Sequence, residues 1–383
     1  MEIIFQKDSY LFALNLYNNM TSIHSRRDTL QSDMKKYLLI IIYLLLTNIH
    51  LNSEAAVILQ YHHVSTETPV STSIAPLQFE AHMQFLADNG YRVVALSEIM
   101  NSITKQQPIP DKTVAITFDD AYLDILQQAK PILDRFDYPF TIFVNPGIVE
   151  KKRANYLSWQ QLKMMADSGV IIANHGFYHD SLARIPDDMT ESQWLIKQGE
   201  LLLKAETMIE EKTGQSWRYL AYPYGEYTPA IEQLVAEHDF IAFSQQSGAV
   251  GLATTLTRVP RFPVSQPYDK ITSLKDKFAS LPVVIEASNN STIYEFGALA
   301  FANFNVIIDD FRKSQLNCYV TGIGKQQVEW LSDKEFRLTF NAPLPVGRVR
   351  SNCTAPSISQ PGRYYWYSKP WFILNSGKKW YPL

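Results

Sequence analysis

The stretch AITFDDAY, residues 115–122, joins an apolar, strand-like segment directly to two adjacent carboxylates, Asp119 and Asp120. Two like charges at the end of a buried segment need a reason, because both their repulsion and their loss of hydration cost free energy. Asp is favoured at helix N-termini, so one interpretation is that Asp120 caps the helix predicted to follow. The other interpretation is that the pair serves a cation and a proton, which requires partners elsewhere in the chain.

The composition is that of a globular protein that can build a sizeable core. The chain has 383 residues, of which 46% are hydrophobic and 13% aromatic, and this length favours two domains. Its 35 Lys and Arg residues against 38 Asp and Glu residues give a formal net charge of −3. A charge so small and so evenly mixed disfavours nucleic acid and a polybasic membrane surface as partners.

The N-terminal region carries a secretory signal pattern. Two lysines after Met34 precede an apolar run over residues 37–46, and small residues follow near Ala55. Because this run is shorter than the about 20 residues that span a bilayer, we expect a cleaved signal peptide over residues 34–55 and no permanent membrane span. Residues 1–33 precede the positively charged start and are predicted to be a non-native extension. The protein is therefore expected to be exported, to the periplasm or the extracellular space.

Export changes the interpretation of the two cysteines. Cys318 and Cys353 are too few for a disulfide framework or a zinc finger. In an oxidising compartment we expect one disulfide between them, which would contribute about 3 to 4 kcal/mol in the chain-entropy description. Two buried free thiols are the alternative.

Short apolar runs alternate with helical patterns over residues 56–270, which predicts an α/β fold with a mostly parallel sheet. About seven strands fit a distorted (β/α) barrel. The predicted strands are AVILQY, YRVVAL, TVAITF, FTIFV, GVIIAN, RYLAY and FIAFS, and the predicted helices lie around 77–88, 124–136, 159–167, 191–212 and 229–238. Residues 281–383 contain short strands and no long helical period, which predicts a smaller all-β sandwich domain.

Polar or turn-forming residues follow several predicted parallel strands at the point where each strand ends. They are His62 and His63, Asp119 and Asp120, His175 and His179, and Pro223, Tyr224 and Gly225. In a parallel α/β barrel the reactive residues lie at the carboxyl ends of the strands. His175 and His179 are four residues apart, so both rings can face one point. With an Asp on the same rim they make a His-His-Asp set that leaves a coordination position open, as in catalytic zinc sites.

This set gives the two carboxylates separate functions. Adjacent residues of an extended chain point in opposite directions. One carboxylate can then bind the cation while its neighbour accepts a proton from the attacking water. The cation offsets the like-charge repulsion and lowers the pKa of water toward about 7. Zinc suits these ligands best, and cobalt, nickel or iron would bind the same set.

Three motifs in this order, TFDD, HGFYH and YPYGEY, resemble those of the polysaccharide deacetylases of carbohydrate esterase family 4, with their NodB homology domain. The resemblance covers about residues 56–264. It implies a NodB-like barrel and a metal-dependent hydrolase of N-acetyl groups. In that family's arrangement Asp119 is the catalytic base, and Asp120, His175 and His179 hold the metal.

The same resemblance assigns the substrate groove. Pro223 and Tyr224 would form one wall, with the Tyr224 backbone N–H as an oxyanion donor. The start LQYHHV resembles the circularly permuted subgroup that acts on poly-N-acetylglucosamine, which implies that His62 is the general acid. His63 is the alternative acid and a candidate substrate contact, and packing or solvent exposure is its structural interpretation.

Two positions depart from the family's usual pattern. Gly176 stands where Ser or Thr is common, so a hydroxyl that could brace the metal site is absent. Ala221 stands where many members carry an Arg that orients the base. Arg258 or Arg261 could supply that function from the last strand, and a solvated side chain is the alternative for either. Arg261 is also a candidate substrate contact.

The leading hypothesis is an exported, metal-dependent N-deacetylase of N-acetylglucosamine-containing polysaccharides. A non-catalytic carbohydrate-binding protein descended from such an enzyme is the second, and both departures favour it. A deacetylase of peptidoglycan or chitin oligomers is the third. The aromatic run GRYYWYSKPW, residues 362–371, either stacks on sugar rings or forms the sandwich core and the seam between domains.

Overall fold

A computed structural model describes residues 55–308 and 310–383 of the chain. These residues belong to one compact unit that contains two large sheets. The predicted upstream extension, residues 1–33, and the predicted signal peptide up to residue 54 lie outside the described residues. Within the two described ranges, none of the helices has the length and apolar character needed to cross a bilayer.

The first sheet is parallel throughout and curls into a distorted barrel. Its strands are β1 (Ala56–Tyr61), β4 (Arg92–Val93), β5 (Thr113–Asp119), β6 (Phe140–Val144), β7 (Ile171–Asn174), β8 (Tyr219–Ala221), β9 (Ile241–Phe243) and β10 (Phe262–Pro263). Hydrogen bonds join them in the order β10-β1-β5-β6-β7-β8-β9, and β4 pairs with β5. A parallel bridge between Phe243 and Val259 brings β9 to the segment before β10. The predicted barrel is confirmed, and β10 adds to the seven predicted strands.

Helices pack against this barrel and short elements complete its rim. They are α1 (Pro76–Asp88), α2 (Leu96–Thr104), α3 (Lys130–Arg135), α4 (Pro146–Val149), α5 (Trp159–Asp167), α6 (Glu191–Thr213), α7 (Pro229–Glu237) and α8 (Ile271–Phe278), with a π-helical turn over Ile125–Ala129 and a small parallel pair, β2 (His63–Val64) and β3 (Ser73–Ile74). All five predicted helices are present. The sequence interpretation missed α2, α4 and α8, although the buried residues of α2, Leu96, Ile99, Met100 and Ile103, follow a helical period.

Alternate side chains of β5 face the outside and the inside of the barrel. Val114 and Ile116 belong to the core cluster shared with the helices, whereas Ala115 belongs to the cluster inside the barrel. Thr117 and Asp119 continue the inner face. The inner cluster also has small side chains on other strands, at Ala173 and Ala221. These small residues leave room inside the barrel for large polar side chains.

The second sheet consists of nine strands from the C-terminal region. They are β11 (Ser280–Leu281), β12 (Ile285–Ala287), β13 (Ile293–Glu295), β14 (Phe301–Val306), β15 (Asn317–Val320), β16 (Gly324–Trp330), β17 (Glu335–Thr339), β18 (Gly347–Pro356) and β19 (Tyr364–Leu374). The hydrogen-bonded order is β11-β19-β18-β15-β16-β17-β14-β12, with β13 on β19. The ring of Phe304 on β14 lies 5.8 Å from Tyr367 and 6.4 Å from Trp371, both on β19. The sheet therefore folds into two facing layers, as the predicted sandwich requires.

The expected disulfide joins neighbouring strands of this sandwich. Cys318 on β15 and Cys353 on β18 stand directly opposite each other and are linked inside the core. The domain limits at residues 270 and 281 stay a prediction, because contacts join both sheets in the same compact unit.

The aromatic run of β19 divides between the sandwich core and the seam with the barrel. Tyr365 and Trp371 are buried in the sandwich core. Trp366 points the other way and meets Phe262 of β10 edge-on, with ring centroids 5.1 Å apart. These contacts give most of the run a structural function and anchor the sandwich on the barrel.

A buried histidine joins α1 to the barrel. The Nδ1 atom of His82 lies 3.0 Å from the Tyr61 hydroxyl, and its Nε2 atom lies 2.6 Å from the carbonyl oxygen of Asp269. The His82 side chain is fully buried. Burial lowers the pKa of His82 from 6.5 to about 4.

We expect acidification to destabilise the fold through His82. The folded state prefers the neutral ring, so its contribution is fully present above pH 6.5 and is lost as the pH falls toward about 4. This loss should be on the order of 2 to 3 kcal/mol. Urea unfolding at about pH 7 and pH 4.5 measures it, and His82→Gln, whose amide does not titrate, should show a smaller loss. Equal losses in both proteins would contradict the prediction.

Candidate active site

The backbone turns sharply where β5 ends, and this separates the two adjacent carboxylates. Asp119 is fully buried inside the barrel, whereas Asp120 is 8% exposed at the rim. Asp120 and Ala121 have φ angles of 75° and 56°. A left-handed backbone costs a non-glycine residue about 1–2 kcal/mol, so the surrounding structure must hold it in place. Each carboxylate consequently meets its own set of partners.

Asp119 is held by a guanidinium and an amide. Its Oδ1 and Oδ2 atoms accept hydrogen bonds of 2.7 and 2.9 Å from Nη1 and Nη2 of Arg261. Gln60 on β1 donates a further hydrogen bond of 2.7 Å to Oδ2. Burial alone would raise the pKa of Asp119, but Arg261 outweighs it and lowers the pKa to about 2. Asp119 is therefore ionised at neutral pH and fixed in direction.

Arg261 occupies the interior of the barrel. Its Nε atom donates to the Ser244 carbonyl oxygen and its Nη1 atom to the Thr117 hydroxyl, each over 3.2 Å. Of the two arginines that the sequence left open, Arg258 instead pairs with Glu232 at 2.8 Å. One expectation is corrected here: Arg261 is 0% exposed, so it meets Asp119 and not a substrate.

Asp120 lies between two imidazoles at the rim. Its Oδ1 atom is 3.3 Å from Nε2 of His175 and 3.1 Å from Nε2 of His179. The three ligand atoms lie within 4.8 Å of one another. Ligand atoms at 2.0–2.1 Å from a tetrahedral zinc ion are about 3.3 Å apart, so the two Asp–His separations suit a shared cation. Burial would raise the pKa of Asp120, and the two imidazoles hold it well below its usual range.

His175 supplies an independent test of this fit. Its Nδ1 atom lies 2.8 Å from the Ala221 carbonyl oxygen, so Nδ1 donates its proton there, and in the neutral ring Nε2 carries the lone pair. That Nε2 atom is buried and, apart from its approach to Oδ1 of Asp120 at 3.3 Å, has no hydrogen-bond partner among the described residues. A buried polar atom without a partner is costly, and a metal ion would satisfy it. The donor set therefore fits a divalent cation.

The two neighbouring histidines after β1 face different ways. Nε2 of His62 lies 3.9 Å from Oδ2 of Asp119, and the His62 side chain is 17% exposed. Burial lowers the pKa of His62, although Asp119 and Asp120 act in the opposite direction. His63 instead lies 2.6 Å from Asp124 and stacks on Tyr122. His63 was the alternative acid and a substrate contact, but its contacts turn it away from Asp119.

The turn after β8 forms a wall beside His179. The Tyr224 ring lies 4.4 Å from the His179 ring, and Tyr224 adopts a φ of 60° in a 3₁₀ turn over Pro223–Gly225. Tyr224 is the second residue of that turn, where the backbone N–H has no acceptor within the helix. This N–H is therefore available to a ligand, as the expected oxyanion donor requires.

A steric contact explains why position 176, between His175 and His179, is a glycine. Gly176 has a φ of 75°, and a Cβ atom added there would lie 3.3 Å from Cγ of Pro223. A Ser or Thr would be strained at this position. Asn145, at the end of β6, braces the segment instead by donating hydrogen bonds to the carbonyl oxygens of His175 and Gly176.

A buried carboxylate ties the rim loops to the C-terminus. Glu226 is 0% exposed and accepts hydrogen bonds of 2.6 Å from Ser181 and of 2.7 Å from two Arg184 nitrogens. The Tyr381 hydroxyl donates another, over 2.6 Å. Ser181 follows His179 by two residues and Glu226 follows Tyr224 by two. The network thus fixes both loops that form the candidate metal centre and its wall.

Sequence reasoning missed Gln60, Asn145 and this Glu226 network. Gln60 had a signal, since it is a polar residue inside an apolar strand. Asn145 had one too, because it follows a predicted strand as the other rim residues do. Glu226 and Tyr381 are 155 residues apart, so no local pattern relates them.

Comparison with known proteins agrees with this geometry. Residues 106–243 match the family described as polysaccharide deacetylase. This part of the chain is therefore similar to polysaccharide deacetylases. The matched segment contains Asp119, the three candidate metal ligands and the Tyr224 wall, but not His62 or Arg261.

Three similar proteins extend the polysaccharide deacetylase match. YxkH of Bacillus subtilis (strain 168), provisionally named a polysaccharide deacetylase, is 30% identical over 44% of this chain and 57% of its own length. A poly-beta-1,6-N-acetyl-D-glucosamine N-deacetylase of Staphylococcus aureus (strain MSSA476) is 26% identical over 54% of this chain and 72% of its own. The solved structure of IcaB from Ammonifex degensii aligns with a TM-score of 0.52 and 26% identity, over 57% of this chain and 96% of IcaB. The chain thus spans little more than half of the length of YxkH.

The Glu226 network predicts that the C-terminal tyrosine stabilises the site. Tyr381→Phe removes one donor to a buried carboxylate and should lower the free energy of unfolding by about 1–2 kcal/mol. Tyr138→Phe is the matched control, because the Tyr138 hydroxyl has no hydrogen-bond partner among the described residues. Urea unfolding at neutral pH compares them, and equal stability of the two variants would refute the prediction.

Proposed function

We propose that this chain is an exported, metal-dependent polysaccharide N-deacetylase that hydrolyses N-acetyl groups of N-acetylglucosamine-containing polymers. The observation that carries the proposal is the pairing of a fixed, ionised Asp119 with the adjacent Asp120-His175-His179 set. Acyl hydrolysis needs an activated water, a base, an oxyanion donor and an acid. The rim of the barrel offers a candidate for each.

The candidate metal ligands are Asp120, His175 and His179. The unpartnered Nε2 atom of His175 supports this assignment most directly. A divalent cation bound there would act as a Lewis acid that lowers the pKa of water and polarises the acetyl carbonyl. Zinc fits two imidazoles and one carboxylate, and cobalt, nickel or iron would use the same ligands.

Asp119 acts as the base in this proposal. Water attacks the carbonyl carbon of the acetyl group, and an Asp119 oxygen accepts its proton. Arg261 and Gln60 keep that carboxylate ionised and fix its orientation. Because Arg261 is buried behind Asp119, it positions the base without touching the substrate. This is the orienting function that Ala221 cannot provide.

His62 and Tyr224 complete the reaction. The Tyr224 backbone N–H donates a hydrogen bond to the developing oxyanion. His62 then gives a proton to the departing nitrogen as the C–N bond breaks, which releases acetate and leaves a free amine on the sugar. The His62 ring lies on the Asp119 side of the site, whereas His63 is engaged by Asp124. These contacts favour His62 as the acid.

The named relatives support the substrate class. The Staphylococcus aureus relative carries the name of a poly-beta-1,6-N-acetyl-D-glucosamine N-deacetylase and covers 54% of this chain. Export is supported by the signal pattern of residues 34–55 and by the disulfide between Cys318 and Cys353. Peptidoglycan and chitin oligomers are the alternative substrates, and comparing acetate release from each of them with that from poly-N-acetylglucosamine distinguishes the three.

Both observations that favoured the second hypothesis, a carbohydrate-binding protein without turnover, have another explanation. It rested on Ala221 and Gly176, where family members carry Arg and Ser or Thr. Arg261 brings a guanidinium to Asp119 from another strand, and Pro223 accounts for the glycine. The proposal therefore stays with a hydrolase.

Metal removal tests the metal centre. The purified protein should contain about one divalent ion, and a chelator should abolish acetate release from poly-N-acetylglucosamine until zinc is restored. His175→Ala and His179→Ala should lose the ion, whereas His238→Ala, outside the site, should keep it. Metal analysis and acetate assays measure both. Chelator-resistant activity would overturn the metal-dependent mechanism.

Replacement of the base tests the role of Asp119. Asp119→Asn should reduce acetate release by about a hundredfold or more while the metal stays bound. The change also leaves Arg261 buried without its carboxylate, which costs stability, so activity must be compared below the melting temperature of the variant. Asp310→Asn, in the sandwich, is the control. Unchanged turnover in a folded, metal-loaded Asp119→Asn protein would exclude Asp119 as the base.

A further inference from the structure

A cleft lies between the barrel and the sandwich. Its volume is about 600 Å³, and both sheets contribute to its lining. Pro263 and Tyr268 belong to the barrel side, whereas Tyr319, Arg350 and Asn352 belong to the sandwich side. Ligand sites in proteins typically enclose about 300–1,000 Å³, so the cleft has the size of a binding site.

The period of two along β18 builds the sandwich wall of this cleft. Val349, Ser351 and Cys353 are buried in the sandwich, which turns the residues between them outward. Outward positions of β18 carry the polar side chains Arg348, Arg350, Asn352 and Thr354. A row of alternating polar residues beside a cleft is a surface suited to hydrogen bonding with hydroxyl and amide groups.

This row begins at the candidate active site. Nη1 of Arg348 donates a hydrogen bond of 3.2 Å to the Tyr224 carbonyl oxygen, and its guanidinium lies 5.7 Å from the centre of the Tyr224 ring. Tyr224 in turn contacts His179. Arg350 follows Arg348 by two residues, which is about 7 Å along a strand. The sandwich wall of the cleft therefore begins two residues along β18 from the contact between Arg348 and Tyr224.

The groups in the cleft match a saccharide. Tyr268 and Tyr319 are 51% and 53% exposed, so each offers a ring face with an apolar body and a polar end. The Arg350 guanidinium has no ion pair or side-chain hydrogen bond among the described residues, and its main chain alone is engaged. A cationic donor without a protein acceptor, in the same cleft as two exposed rings, is available for the oxygens of a sugar.

The charges of the cleft select between forms of the sugar. Arg350 and Lys277 line it against one carboxylate, Asp276, and Arg348 adds a further positive charge at the end next to Tyr224. An N-acetyl group is neutral and offers a carbonyl acceptor, whereas the free amine of glucosamine is a cation. The excess of positive charge disfavours the deacetylated unit.

We infer that this cleft is a second saccharide site, which binds N-acetylated hexosamine units of a polymer while another unit occupies the candidate active site. The inference rests on the proposed function for its substrate and extends it to the C-terminal sandwich. The site would favour chains that are still acetylated and release chains already converted. Long oligomers should consequently be bound and hydrolysed better than short ones.

Oligomer length is the variable that tests the site. With zinc-loaded full-length protein, kcat/KM for acetate release should rise about tenfold or more from the dimer to the hexamer of β-1,6-N-acetylglucosamine, in line with one or two charged hydrogen bonds. Arg350→Gln and Tyr319→Ala should lose most of that gain. Arg312→Gln and Phe301→Ala, exposed sandwich positions outside the lining, should retain it. An equal rise in all five proteins would overturn the inference.

Calorimetry separates this inference from the proposed function. Binding is measured in EDTA, where turnover does not compete, with the acetylated dimer, the acetylated hexamer and the fully de-N-acetylated hexamer. The acetylated hexamer should bind at least about fivefold more tightly than the other two, and Arg350→Gln should remove the difference. Equal affinity for both hexamers, or no length dependence, would overturn the second site. If wild-type protein releases no acetate from any substrate, the hydrolase proposal fails, and the calorimetry still decides whether the cleft binds saccharide.

Discussion

The ion pair between Arg261 and Asp119 is the constraint on which the barrel and its site both depend. Both side chains are 0% exposed, and the guanidinium also reaches Ser244 and Thr117 while lying 5.1 Å from the centre of the Phe143 ring. A buried pair of this kind adds little net stability, because desolvation offsets the attraction. Losing one partner, however, leaves a buried charge and costs about 3–5 kcal/mol. Closure of the barrel over Arg261 therefore requires an ionised Asp119, and Asp119 stays ionised because Arg261 lies beside it.

The pair also explains how two adjacent acids coexist. Asp119 is drawn into the barrel by Arg261, and the left-handed turn at Asp120 carries the next carboxylate over the rim to the imidazoles. Small side chains inside the barrel, among them Ala115 and Ala221, make space for the arginine. Asp120, Ala121, His179 and Tyr224 all have positive φ angles, a strained backbone conformation, at positions that orient the rim residues. The packed core thus holds the rim residues in a geometry that the local backbone does not favour.

Most of the fold follows from local patterns, whereas the supports of the site do not. Continuous apolar runs such as TVAITF predict buried parallel strands, and polar residues after them mark the rim, because strand ends meet at one edge of such a sheet. The choice between Arg258 and Arg261 could not be made locally, since it depends on which one points into the barrel when the sheet curls. His62 and His63 pose the same problem: neighbours in sequence face opposite ways, and only Asp124 and Tyr122 decide which one turns aside. Distant pairs such as Glu226 and Tyr381 leave no local pattern to detect.

The C-terminal sandwich takes part in the site from outside the barrel. Arg348 holds the Tyr224 carbonyl oxygen, Thr292 donates a hydrogen bond to the Tyr227 carbonyl oxygen, and Tyr381 reaches Glu226. All three contacts act on the single segment after β8 that presents the proposed oxyanion donor. A backbone N–H stabilises an oxyanion only when its position is fixed before the charge develops. Tyr224 has a left-handed backbone conformation, and the contacts from the sandwich add to the rigidity that Ser181 and Arg184 give to this wall through Glu226. The accessory sheet is accordingly a structural part of the proposed catalytic site, whether or not sugar also binds along β18.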